Sequence, residues 1–459
     1  MKILLLNPPG ERLYQRDYYC SKVSKAAYLF HPTDLLILSG ILATRHSVEV
    51  LDALAEGLKP EDALQRIARI DPQVVISLCG AVSWPEDSSF FVKLKAWNQD
   101  LRLMVSGDLV LEGAKSFPDD AGAVDALLLD FTSDSALRWI EGGEGEEISQ
   151  VFYRRDGGWV GRALASEKAQ NFTIPVPRHD LFPADRYRFP LLRRRRFATL
   201  LTDYGCRYKC RFCVTGQLGY KCRPVANVLE ELAVLAESGY RELYLNDQTF
   251  ATDRQRAVEL LMAMIEGEYR FGWACWSRVD LVDADLLDLM RRAGCHTIMF
   301  GAETDDAATL AAWRKGVTPQ QVSAAMQICR QAGIRTLATF MLGLPGQDAA
   351  ACRQTVEFAC RCGCDFASFN VPVPRLGTDL RRQALHEKWI DSGDLVFDQS
   401  GIVAAMGNGL LSAREIMDLR HHAVRRFYLR PGYLFSRLAA LRRPGELFDL
   451  VRFGLATLQ

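Results

Sequence analysis

The chain has 459 residues, with 56 Lys and Arg against 56 Asp and Glu. That length suits two or three domains with sizeable cores. The balanced charge excludes the basic excess of a nucleic-acid binder, so no nucleic-acid partner is expected.

The opening MKILLLNPPG is a short apolar run ended by two prolines, without the length or cleavage signal of an export peptide. No stretch approaches the roughly 18 apolar residues of a membrane span. With an odd count of 13 Cys, the expectation is reduced thiols in the cytoplasm. Met1–Leu6 reads as a strand, residues 34–45 have helical spacing, Val48–Leu51 is a strand ending at Asp52, and residues 60–70 form a helix. Val74–Leu78, Leu103–Ser106 and Ala126–Leu129 read as further strands, with a helix over Phe90–Asn98. Such alternation predicts an α/β domain built on a doubly wound parallel sheet, with ligands at the carboxyl ends of its strands. A domain that only supports the rest is the plainer reading.

Residues 151–163 predict a hairpin turning at Asp156-Gly157-Gly158, and the proline-bearing stretch 174–190 an inter-domain crossing. Arg193–Arg196 reads as a solvated run or an anion site. From Phe197 the βα rhythm returns, with strands at 197–202, 241–246, 271–275, 297–300, 335–341 and 366–371. Helices are predicted at 225–238, 253–266, 282–293, 317–331 and 349–361. After about residue 380 the rhythm is lost and the tail looks helical. The expected divisions are 1–150, 151–192, 193–385 and 386–459. Near the end, Arg425, Arg426, Arg430, Arg437, Arg442 and Arg443 interleave with aromatic residues. That pattern suits an amphipathic closure packed on the rest, or a surface helix touching anionic lipid or an acidic substrate.

The most informative run is GCRYKCRFCVTG, which sets Cys206, Cys210 and Cys213 as C-x3-C-x2-C on the loop after strand 197–202. Three thiolates so close in sequence can wrap one inorganic core. A cuboidal iron–sulfur cluster has four irons, so three protein ligands leave one iron open. A zinc site short of a ligand and three ordinary buried thiols are the rival readings. Structural zinc normally closes with four ligands, and the next His along the chain is His296. Cys360, Cys362 and Cys364, one residue apart across a helix end, are poor geometry for a second cluster and read as small buried thiols.

The triad, with Phe212 before its last Cys, resembles the signature of the radical S-adenosylmethionine (radical SAM) enzymes. The resemblance implies a 4Fe-4S cluster whose open iron is chelated by SAM, and a radical that abstracts hydrogen from unactivated carbon. It also implies a partial (β/α)6 barrel with its chemistry at the C-terminal strand ends. The opening KILLLNPPG and the order sheet, hairpin, linker, barrel resemble the cobalamin-binding branch of that family. The D-x-H-x-x-G motif that gives cobalt a His in many cobalamin proteins is missing, and His46 lacks its context.

Further resemblances follow by position. Asp247-Gln248-Thr249-Phe250 is similar to D-D-x-F near the SAM methionine moiety, with Gln248 replacing the second acid. Ser277-Arg278-Val279-Asp280 resembles the segment whose Arg278 would pair with the SAM carboxylate. Gly301-Ala302-Glu303-Thr304 resembles G-x-E-S, placing Glu303 on the ribose hydroxyls. Gly343–Gln347 resembles G-L-P-G-E with Gln347 for the acid, and Pro374 with Gly377-Thr378 stands roughly where P-G-T occurs. Each could also be a helix cap or a turn.

The resemblance implies a cobalamin-dependent radical SAM enzyme that modifies an unactivated carbon of a small-molecule or lipid-like substrate, with C-methylation as the first reading. An external donor such as flavodoxin or ferredoxin would supply electrons, and peripheral membrane contact stays open. The rival readings are a radical cyclase or ring-rearranging enzyme, an RNA methylthiotransferase, and a non-catalytic iron–sulfur or cobalamin sensor.

Overall fold

The alternation of apolar runs with helices is realised as two parallel sheets in a computed structural model. It describes residues 1–24, 28–111, 113, 117–118, 122–142, 148–162, 171–391, 393–394, 398, 400–401 and 403–439. In the first sheet the strands lie in the order Ser47–Asp52, Lys2–Asn7, Val74–Leu78, Arg102–Ser106, Ala126–Leu128, all parallel. Val74–Leu78 is buried at every residue, as a parallel strand covered on both faces must be. The strand order reverses between Lys2–Asn7 and Val74–Leu78, the switch point where such sheets place ligands.

The hairpin Val151–Arg155 and Gly158–Arg162 adds two antiparallel strands to this sheet, which therefore runs past the expected division at residue 150. Ala163, the expected end of that hairpin, lies outside the described residues. The helix expected over Phe90–Asn98 begins earlier, at Trp84, because Pro85 suits a first helical turn.

The second sheet has six parallel strands in chain order: Ala198–Leu200, Glu242–Leu245, Gly272–Ser277, Cys295–Glu303, Arg335–Met341 and Phe366–Asn370. Five helices alternate with them, Val225–Glu237, Arg254–Glu266, Ala284–Arg292, Pro319–Gln331 and Ala349–Arg361. Side chains of Asp253, Asp283, Thr318 and Asp348 cap four of these helices, fixing where each leaves the strand-end loops. Among the described residues the first and last strands do not pair, so the barrel is partial. Helix Ala413–Tyr428 closes it from outside. Arg426 makes a two-pronged pair with Glu357 at 2.7 and 2.9 Å, and Phe427 is buried in the barrel core. Arg442 and Arg443 lie outside the described residues.

Two elements join the sheets. Helix Thr33–Ala43 is buried from Thr33 to Leu42, as a helix without a polar face must be. The inter-domain crossing passes it so closely that a Cβ on Gly40 would lie 2.7 Å from the Pro175 carbonyl oxygen. The second element is a hairpin, Tyr14–Asp17 with Cys20–Val23, which the sequence pattern does not reveal. It lies against the carboxyl ends of the first sheet. There the buried Arg16 guanidinium donates to Asp87 at 2.6 Å and to Asn7 at 2.9 Å. Loops of the two sheets border one small cavity, Ala81 and Asp108 from the first and Val214 and Val373 from the second. No helix among the described residues is long and apolar enough to cross a membrane.

The seam between the sheets holds buried acids. Burial pushes the Asp34 carboxyl up to about 8 and that of Asp17 up to about 7. Ser106 donates to Asp34 at 2.6 Å, and among the described residues the other Asp34 oxygen has no hydrogen-bond partner. A carboxyl held protonated in the fold favours folding below its unfolded value of 3.8, and that contribution is lost as pH rises towards 8. Asp34→Asn should therefore be nearly neutral at pH 4 and more stable than wild type at pH 8, by on the order of a few kcal/mol. Urea unfolding at the two pH values measures this.

Candidate functional site

The cysteine loop hangs from a two-stranded ribbon. Strand Ala198–Leu200 stops short of the expected residue 202, and Asp203–Gly205 pairs antiparallel with Tyr220–Cys222. Gly205 has φ +77°, and a Cβ there would lie 2.1 Å from the Gly219 carbonyl oxygen, so this closure needs glycine. The Cys206 amide donates to that same carbonyl at 2.8 Å. At the far end of the loop the Arg211 amide donates to Trp313 O at 3.0 Å, and its side chain pairs with Asp379 at 2.7 Å. Phe212 packs beside Trp313, with ring centroids 6.4 Å apart.

Cys206, Cys210, Phe212 and Cys213 border a cavity of about 610 Å³. Its walls come from the C-terminal strand ends of the barrel, the Tyr14–Val23 hairpin and helix Ala413–Tyr428. Among the described residues no three His, Cys, Asp or Glu side chains converge on one point as ligands of a single metal ion. Three thiols bordering one cavity are the donor set that a cluster with its irons at separate corners takes from a protein. Burial pushes the Cys206 thiol up, and that of Cys210 up to about 11, with the Lys315 ammonium working against it.

Glu303 and Lys315 form the second part of the site. The strand Cys295–Glu303 bulges between Gly301 and Glu303, and Glu303 takes φ +65°, a strained value for a non-glycine residue. Its carboxylate accepts from Lys315 Nζ at 2.6 Å, and both residues are buried and border the cavity. Burial alone would lower the Lys315 value, but Glu303 and the neighbouring Cys210 leave it raised. Lys315 belongs to no motif, and nothing in the sequence pairs it with Glu303, 12 residues before it.

The remaining motif residues divide between cavity and scaffold. Gln248 borders the cavity and donates to the Tyr18 hydroxyl of the hairpin at 3.0 Å. Asp247, expected near the SAM methionine moiety, is buried behind the wall. It accepts from the Thr202 amide and hydroxyl, both at 2.6 Å, and from the Asp203 amide at 3.0 Å. Arg278, expected on the SAM carboxylate, borders the cavity with its fork closed on Asp280 at 2.9 Å twice and its face 3.7 Å from the Tyr208 ring. It also donates to the Lys315 carbonyl at 2.9 Å, so it braces the loop that carries the ammonium.

Gln347 accepts from the Gly343 and Leu344 amides and donates to Thr304 at 3.1 Å, a donation a carboxylate could not make. Thr378 caps helix Asp379–His386. His46 precedes strand Ser47–Asp52 and so sits at the edge away from its carboxyl end. Cys362 and Cys364 contact the Ala359 carbonyl at a helix end.

Comparison with known proteins accords with this geometry. Residues 201–359 match the family model of the radical SAM superfamily. An uncharacterized methyltransferase of Pyrococcus horikoshii is 27% identical over 445 residues, covering 95% of this chain and 94% of its own length. An anaerobic magnesium-protoporphyrin IX monomethyl ester cyclase of Rubrivivax gelatinosus is 22% identical, over 99% of this chain and 85% of its own. Among solved structures, the radical SAM methyltransferase TsrM of Kitasatospora setae, with cobalamin and a [4Fe-4S] cluster bound, superimposes with a TM-score of 0.69 at 17% identity. That match covers 94% of this chain and 89% of TsrM. Residues 201–359 therefore carry a radical SAM domain, the chain is an enzyme, and its two-sheet fold is like that of the cobalamin-bound methyltransferase TsrM.

The Glu303–Lys315 pair sets an expectation for stability. Glu303→Gln leaves a buried ammonium without its counter-charge and should cost about 3–5 kcal/mol at pH 7 in urea unfolding. A lysine whose value is raised in the fold contributes fully below its ordinary 10.5, and this is lost at higher pH. The difference between variant and wild type should accordingly shrink above about pH 10.5.

Proposed function

We propose that the protein is a cobalamin-dependent radical SAM enzyme that methylates an unactivated carbon of a small molecule. The observation that carries this reading is the cysteine triad on a cavity bordered by both halves of the chain. Likeness along almost the full length to methyltransferases, in sequence and in fold, supports it.

In this reading Cys206, Cys210 and Cys213 hold a 4Fe-4S cluster. Loading it requires thiol protons to leave, which burial opposes and Lys315 beside Cys210 favours. Gln248, Thr249 and Glu303 line the same cavity and offer hydrogen-bonding groups to SAM. Asp247 and Arg278 act as positioning residues, the first by fixing the ribbon through Thr202 and Asp203, the second by bracing Lys315. Tyr19, Cys20 and Lys22 face the cavity from the hairpin and would hold the corrinoid, without an imidazole to offer cobalt. When bound, the cluster with SAM would supply radical chemistry and the corrinoid would supply the methyl group. Trp276, Met299 and Leu337 wall the cavity with apolar surface and limit the water that reaches the reacting carbon. A low-potential donor such as flavodoxin or ferredoxin would deliver the electron.

The end-to-end likeness to a cyclase favours one second reading, radical ring closure without methyl transfer. Anaerobic reconstitution with iron, sulfide and hydroxocobalamin separates the two. Methyl transfer should yield S-adenosylhomocysteine together with 5′-deoxyadenosine, whereas cyclisation should yield 5′-deoxyadenosine alone. Cys206→Ser, Cys210→Ser and Cys213→Ser should each lose most of the bound iron and reduce SAM cleavage at least about a hundredfold. Retention of a full cluster by all three variants would remove the basis of the proposal.

A further inference from the structure

The cavity is lined by five cationic side chains, Lys22, Arg278, Lys315, Arg375 and Arg420, against one carboxylate, Glu303. Two of the cations already have acidic partners, Arg278 in Asp280 and Lys315 in Glu303. Arg420 has none. It projects from helix Ala413–Tyr428, is 6% exposed, and donates from Nε to the Phe369 carbonyl at 3.1 Å. That bond fixes the base of the guanidinium. Among the described residues neither terminal nitrogen has a hydrogen-bond or ion-pair partner. Burial pulls its value down and no neighbouring charge opposes the shift. An unpaired charge in so enclosed a place is costly unless something in the cavity meets it. Val424 and Tyr428 follow on the same helix and carry the cavity wall onward as apolar and aromatic surface.

We propose that Arg420 anchors an anionic group of the substrate, a carboxylate or a phosphate carried on an apolar body, and so helps to set specificity. A planar guanidinium with both terminal nitrogens open matches two oxygens of either group. The inference rests on the cavity being the substrate site of the proposed reaction. It goes further by giving the substrate a charge and that charge a place.

The test titrates 2-naphthoate, 2-naphthyl phosphate and the neutral 2-naphthalenemethanol calorimetrically into the full chain, reconstituted anaerobically with iron and sulfide. At least one anion should bind about tenfold or more tighter than the alcohol. Arg420→Met should abolish that preference while holding alcohol binding within about twofold, and Arg420→Lys should keep part of it. Near-UV circular dichroism checks folding. If the Met variant unfolds, Arg420→Gln, which can still donate to the Phe369 carbonyl, takes its place.

A wild-type chain without anion preference overturns the proposal, as does a preference that survives in the Met or Gln variant. So does a preference that vanishes once hydroxocobalamin is bound, since the cation then serves the phosphate of the corrinoid. Repeating the titration on iron-free chain keeps the two readings apart. Failure to retain iron would sink the proposed reaction and leave the anion preference measurable.

Discussion

Helix Thr33–Ala43 has no face left for water, and the rest of the structure depends on that constraint. One side covers the first sheet, and the other meets the barrel, where Asn246 donates to Thr33 at 2.8 Å. The two sheets share a continuous core through it, from Ile3 and Ile76 to Phe197, Tyr244 and Met299. Separating them would expose the whole helix, so their mutual position is held by apolar burial rather than by a flexible tether. A cavity that draws walls from both halves keeps its shape only under this condition.

Within that frame two of the cations that border the cavity, Arg278 and Lys315, are closed into pairs. Asp280 takes the Arg278 fork, Glu303 takes Lys315, and Asp87 takes the buried Arg16 that pins the hairpin. Each pair satisfies itself and leaves the cavity to the thiols and to side chains with spare hydrogen-bonding capacity, such as Gln248. The left-handed Glu303 is the strained point, and it lies where the fold turns a strand end into the cavity.

Much of the fold was legible in the sequence. Buried parallel strands announce themselves as unbroken apolar runs such as VVISL, and the βα rhythm after Phe197 gave six strands in the order the barrel uses. The Tyr14–Val23 hairpin was not legible. Its strands YQRD and CSKV lack an apolar alternation, and what seats it is a contact between Arg16 and Asp87, 71 residues apart. Of the motif residues, Gln248, Arg278 and Glu303 border the cavity. Asp247 lies behind the wall, held by Thr202 and Asp203, and the Arg278 fork is closed on Asp280, contacts that motif positions do not record.

The sequence by itself determined the local chemistry: three thiols on one short loop, the helix caps, and the apolar runs that become strands. These depend on spacing along the chain, which sequence records. Only the tertiary structure decided that Lys315 would meet Glu303, that Arg420 would border the cavity with its terminal nitrogens unpaired among the described residues, and that a polar hairpin would help to line that cavity. Those outcomes depend on which distant groups desolvate one another, a quantity set by three-dimensional packing rather than by spacing along the chain.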